Sequence, residues 1–174
     1  GMGGVGKTTI AKVVFNQLCN GYDGSCFLSD INERSKTFNG GLVDLQKQLL
    51  HDILKQDVAN INCVDRGKVL IKERLCRKRV LLVADDVAHL DQLNALMGDR
   101  SWFGPRSRVI ITTRYSSLLR EADQTCQIEE LEPDEALQLF SWHAFKDTKP
   151  TEDYIELSKD VVDYCGGLPL ALKV

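Results

Sequence analysis

The 174 residues, 43% apolar and 27% charged, suffice for one ordinary soluble domain with a core of its own. The net charge of −3 supplies no global positive field, which argues against direct nucleic-acid binding or capture by an anionic membrane. The longest apolar runs are far too short to span a bilayer, and six cysteines show neither a C-x-x-C pair nor zinc spacing with the three histidines.

Cys19, Cys26, Cys63, Cys76, Cys126 and Cys165 mostly sit beside apolar residues and read as small buried hydrophobes in a reducing compartment. A cytoplasmic or nuclear setting is therefore expected. His51, His89 and His143 stand alone and read as packing or helix-surface residues. Along the chain, residues 7–19 form a helix opened by a Gly-rich loop, and 25–28 a short strand. Residues 42–54 carry Leu42, Leu45, Leu49 and Ile53 at helical spacing. A second amphipathic helix covers 66–75. The apolar run 79–84, ending in two carboxylates, has the pattern of a buried parallel strand. A short helix at 90–97 follows, then a buried strand at 108–112 introduced by Gly104-Pro105, and a last strand at 125–128. Pro133 opens a helix over 134–145; a second covers 154–164, stopped by Gly166-Gly167; and 168–174 begins a third. Trp102 and Phe103 read as a loop anchor, the basic run from Lys72 to Arg79 as a solvated face, and Trp142 and Phe145 as helical core. The alternation predicts a three-layer α/β/α domain with a mostly parallel sheet over residues 1–130, followed by a partial helical subdomain over 131–174.

The segment Gly1-Met2-Gly3-Gly4-Val5-Gly6-Lys7-Thr8 fits G-x-x-x-x-G-K-[ST], the P-loop pattern. Polyphosphate oxygens need several backbone N–H groups converging on one point, and glycine lets the main chain approach without a Cβ clash. The helix that follows aims its positive dipole end at the same anion. Lys7 supplies a point charge between the β- and γ-phosphates, the Thr8 hydroxyl ligates Mg²⁺, and Thr9 meets the α-phosphate. A chance Gly-rich turn is the alternative. Asp85 and Asp86 follow the buried run at the strand end where α/β folds bind ligands. Asp85 would hold Mg²⁺, and Asp86 would orient or deprotonate water; a helix N-cap is the plainer role. Arg114, after Thr112-Thr113, reads as a γ-phosphate sensor or as a surface ion pair.

Four segments in order then resemble a known family: the P-loop through Thr9, Leu81-Leu82-Val83-Ala84-Asp85-Asp86-Val87, Ser107 to Arg114, and Gly167-Leu168-Pro169-Leu170-Ala171-Leu172. Together they resemble the NB-ARC module of plant nucleotide-binding leucine-rich-repeat disease-resistance proteins. The stretch Leu131 to Phe140 resembles that family's entry into its first helical subdomain. The resemblance implies an ADP/ATP switch with Mg²⁺ and slow hydrolysis, in which Arg114 senses the γ-phosphate and Pro169 packs near adenine. It also implies contacts with TIR, winged-helix and leucine-rich-repeat regions, and oligomerisation on activation. Cys26-Phe27-Leu28-Ser29-Asp30-Ile31 resembles the TIR subclass. Ala88 departs from both subclasses, and Ala84 stands where the family commonly has Leu. The competing expectations are a P-loop ATPase or kinase-like enzyme and a non-hydrolysing ADP scaffold; no N-K-x-D segment for guanine is present. A P-loop is normally preceded by a central strand, which this sequence lacks, so an unstable fragment with two unpaired edges and an open core is expected.

Overall fold

The computed structural model describes residues 2–37, 40–57 and 61–173. The chain divides into two compact units: Thr8–Ala122, and Gly1–Lys7 together with Asp123–Val174.

In the Thr8–Ala122 unit, three parallel strands, β1 (Gly24–Leu28), β2 (Val80–Val87) and β3 (Arg108–Thr113), lie in the order β1-β2-β3. Gly24 pairs with Val80 and Leu28 with Ala84; on the other side, Leu81 pairs with Arg108 and Ala84 with Ile111. Val80 to Ala84 have no solvent exposure, so the centre of β2 is buried on both faces and its apolar run is continuous rather than alternating. The helices before β2 are α1 (Lys7–Leu18), α2 (Ile31–Ser35), α3 (Gly41–Leu54) and α4 (Val64–Leu75); α5 (Leu90–Leu96) connects β2 to β3. Leu45, Leu49, Leu50 and Ile53 place the apolar stripe of α3 in the core with Cys26, Leu28, Ile71, Leu75 and Leu82. Trp102 and Phe103 pack on the same core, as a loop anchor should.

One polar group ties three helices together. The buried Gln46 amide donates from Nε2 to the carbonyls of Val64, at 3.0 Å, and Ala95, at 2.8 Å. Those carbonyls belong to α4 and α5, so a single α3 side chain satisfies two main-chain acceptors inside the core.

In the other unit, α6 (Pro133–Phe145) and α7 (Ile155–Cys165) enclose Ala136, Val162 and Leu172. Pro133 sits in the first turn, where its missing N–H costs no helical hydrogen bond. Helix α7 stops where Gly166 and Gly167 take φ of +56° and +68°, a left-handed path that glycine adopts freely. The Leu131 N–H donates to the Gly167 carbonyl at 2.9 Å and anchors that turn.

Several expectations change. Residues 125–128 form no strand: the segment is polar and largely exposed, and it joins no sheet. Residues 168–173 supply only the 3₁₀ turn Ala171–Lys173, while Val174 lies outside the described residues. Trp142 is 57% exposed because it faces away from the α6 stripe formed by Ala136, Leu139 and Phe140. Only Cys26 is a buried cysteine; Cys63 and Cys126 are exposed and the other three half-buried, all as free thiols.

Candidate functional site

Strand β2 runs beyond the predicted end at residue 84 and carries both carboxylates within it. Its pairing with β3 becomes irregular between Ala84 and Val87, and there Asp86 turns to φ +54°. Aspartate tolerates this left-handed geometry better than β-branched residues do, and such a bulge re-aims side chains at a sheet's end.

Asp85 is 1% exposed. A buried carboxylate needs donors, and its Oδ1 receives two hydroxyl protons: from Thr8 Oγ1 at 2.8 Å and from Thr112 Oγ1 at 2.7 Å. The Thr112 oxygen in turn accepts the Asp86 N–H at 2.9 Å. Thr113 Oγ1 donates to the Val87 carbonyl at 2.6 Å and accepts the Tyr115 N–H at 3.0 Å. The two threonines of β3 therefore stitch the bulged end of β2 in place. Asp86 Oδ1 lies 3.5 Å from Arg114 Nε, and Arg114 is 59% exposed. The arginine thus pairs with Asp86 at the surface.

The donor set of Thr8 and Asp85 is all oxygen, suited to a hard divalent cation. Thr8 Oγ1 and Asp85 Oδ1, brought to 2.8 Å by their hydrogen bond, are the oxygens that would hold such a cation. Among the described residues no group of three or more His, Cys, Asp and Glu side chains is arranged to hold a metal.

The Gly-rich loop belongs to the other unit. Gly4 and Gly6 have φ of +84° and +93°, so both positions use the freedom that glycine alone offers at little cost. A Cβ on Gly4 would lie 3.1 Å from Leu170 Cβ and 3.5 Å from the Leu168 methyls. The Gly4 carbonyl accepts the Leu170 N–H at 3.2 Å. Half-buried Pro169 is carried to the loop by the two leucines that flank it. Val5 is buried, Gly3 is half-buried, and Lys7 Nζ donates to the Met2 carbonyl. Thr9 is exposed in the first turn of α1, and Gly1 lies outside the described residues.

Of the expected residues, Thr8 and Asp85 meet, as do Asp86 and Arg114. The Gly-rich loop and the flanks of Pro169 meet separately. The paired roles of Thr112 and Thr113 were missed individually; two hydroxyls ending a strand beside two carboxylates were the available signal.

A parallel sheet whose central strand ends in a hydroxyl-held buried carboxylate, in a chain with a G-x-x-x-x-G-K-T loop before its first helix, places the protein among P-loop α/β proteins. The family profile of the NB-ARC domain matches residues 1–150, and the chain belongs to that family. It is 47% identical to disease resistance protein RUN1 and 48% identical to disease resistance protein RPV1, both of Vitis rotundifolia. It is 44% identical to TMV resistance protein N of Nicotiana glutinosa. Each match covers 100% of this chain but only 12–15% of the relative.

Proposed function

We propose that the chain is the ADP/ATP-binding switch module of a plant intracellular immune receptor, with an ADP-held resting state and an ATP-held active state. Family membership and the relatives' names support the receptor context. The observation that carries nucleotide binding is the Thr8 hydroxyl seated on buried Asp85, directly after the Gly-rich loop and Lys7. In this reading residues 1–130 act as the nucleotide domain and 131–174 as the start of a helical subdomain. Backbone N–H groups of Gly1, Gly3, Gly4, Val5 and Gly6 cradle phosphate oxygens, Lys7 neutralises the β- and γ-phosphates, and Thr9 meets the α-phosphate. Thr8 and Asp85 would hold Mg²⁺, which supplies charge neutralisation on the phosphate oxygens. Asp86 orients water, Arg114 reports the γ-phosphate, and Pro169 borders the base. The receptor would be of the TIR subclass, cytoplasmic or nuclear, and would assemble on activation.

A second reading has a specific observation in its favour. The Asp86 carboxylate faces Arg114, an arrangement that occupies both the proposed base and the proposed sensor. An ADP scaffold that never hydrolyses would need neither group free. Calorimetric titration with ADP and ATP, with and without Mg²⁺, tests the main reading against Lys7→Ala. Binding by the parent chain and its loss by at least tenfold in the variant are expected. A folded chain that binds neither nucleotide would refute nucleotide binding. Steady phosphate release from bound ATP would exclude the scaffold.

A further inference from the structure

The nucleotide reading employs Thr8, Asp85 and Asp86 and leaves Thr112 without a task. Yet Thr112 is 8% exposed, at the end of β3, and its hydroxyl both donates and accepts a hydrogen bond. The Asp86 main-chain N–H can only donate, so it fills a lone pair of Thr112 Oγ1 at 2.9 Å. The single hydroxyl proton then goes to Asp85 Oδ1 at 2.7 Å. The direction of this hydrogen bond is forced by its partners. Thr112 thereby fixes two neighbours at once: the carboxylate rotation of Asp85, and the main chain of Asp86 at its left-handed turn.

The same Oδ1 receives the Thr8 hydroxyl at 2.8 Å. If that hydroxyl turns its lone pairs toward a cation, Asp85 keeps one anchoring donor, from Thr112. We infer that Thr112 is a positioning residue: it holds Asp85 aimed at Thr8 and so sets the affinity of the Thr8–Asp85 pair for a divalent cation. This inference rests on the nucleotide reading. Partners that orient a metal-binding carboxylate commonly govern metal affinity by about 10–100-fold.

Thr113 provides a matched control. It is 5% exposed and also makes two hydrogen bonds, but to the Val87 carbonyl and from the Tyr115 N–H, with no carboxylate involved. Loss of either hydroxyl should weaken the β2–β3 junction similarly; only loss of the Thr112 hydroxyl should reach the cation.

The experiment compares ADP dissociation constants in Mg²⁺ and in EDTA, by calorimetry, for the full chain and for Thr112→Val, Thr112→Ser and Thr113→Val. Thermal unfolding of each is followed in parallel. Thr112→Val is expected to cut the Mg²⁺-dependent gain in affinity by about tenfold or more while leaving binding in EDTA unchanged. Thr112→Ser should restore the gain, and Thr113→Val should keep it despite a comparable fall in Tm. Equal loss in both valine variants would mean a merely structural junction and would overturn the inference. So would an undiminished Mg²⁺ gain in Thr112→Val. If Thr112→Val does not fold, Thr112→Ala, which also lacks the hydroxyl, decides: loss of the gain while Thr113→Val keeps it supports the inference, and an undiminished gain overturns it. A folded parent chain that binds no ADP would instead remove the nucleotide reading and the inference with it.

Discussion

At Gly4, φ of +84° and the Leu170 Cβ position leave poor conditions for any side chain. Left-handed backbone costs an L-residue about 1–2 kcal/mol. Gly4→Ala should therefore lower Tm by about 2–8 °C in a calorimetric scan. Asp86 holds a comparable angle with a side chain already present. Asp86→Asn keeps a residue tolerant of that angle and gives up only an exposed ion pair, so Tm should move by less than about 2 °C. Asp86→Val should lose more, because a β-branched residue resists the turn. Cys26 is a contrasting case. Burial first, then the neighbouring Asp52 charge and hydrogen bond, push its thiol far above the ordinary 9.0. A raised folded value means that the stabilisation is complete below the unfolded thiol's pKa and is lost as pH climbs past it. Stability should thus decline above about pH 9. Alkylation at pH 8 should label exposed Cys63 and Cys126 and spare Cys26 until the chain unfolds, as peptide mass mapping would show.

The joint between α3 and α4 separates helix propensity from packing. Alanine is better than glycine inside a helix by about 1 kcal/mol. At Gly67, however, a Cβ would fall 1.9 Å from Gln46 Oε1, and that amide already serves the Val64 and Ala95 carbonyls. Packing wins: Gly67→Ala should destabilise by about 1–3 kcal/mol, read as a lower urea midpoint. Gln46→Ala alone should also destabilise, by leaving the Val64 and Ala95 carbonyls unpaired, but in its background the further cost of Gly67→Ala should shrink. Legibility in the sequence divides along similar lines. The main helices and β2 were readable because burial on one or two faces imprints a period or an unbroken apolar run. Helix α2 was not: it has five residues, and it follows Asp30 at φ +53° with no side-chain cap. The false strand at 125–128 shows the reverse failure, since local strand propensity has little force in a short, exposed segment that joins no sheet. Within the site, the closeness of Thr8 and Asp85 was readable from motif chemistry. The clasp made by Thr112 was not, because it depends on the pairing shift between Ala84 and Val87.

Across the molecule, a change of composition marks the helical half, but no local signal reveals that Gly1–Lys7 gathers with Asp123–Val174. That choice is long-range. Among the described residues β1 and β3 are the sheet's two edges, and Val109 on β3 is 37% exposed. Edges of this kind invite pairing between chains, which a net charge of −3 opposes. The net charge vanishes near the isoelectric point of about 5.6, so light scattering should rise as pH falls from 8 toward that value. The hydrogen bond from Leu170 to the Gly4 carbonyl also imposes a timetable. A ribosome adds about 5–20 residues per second. The glycine loop thus leaves the ribosome roughly 10–30 seconds before the leucine that completes it. A nascent chain stalled before Leu170 would carry the motif in sequence without the hydrogen bond that closes on Gly4.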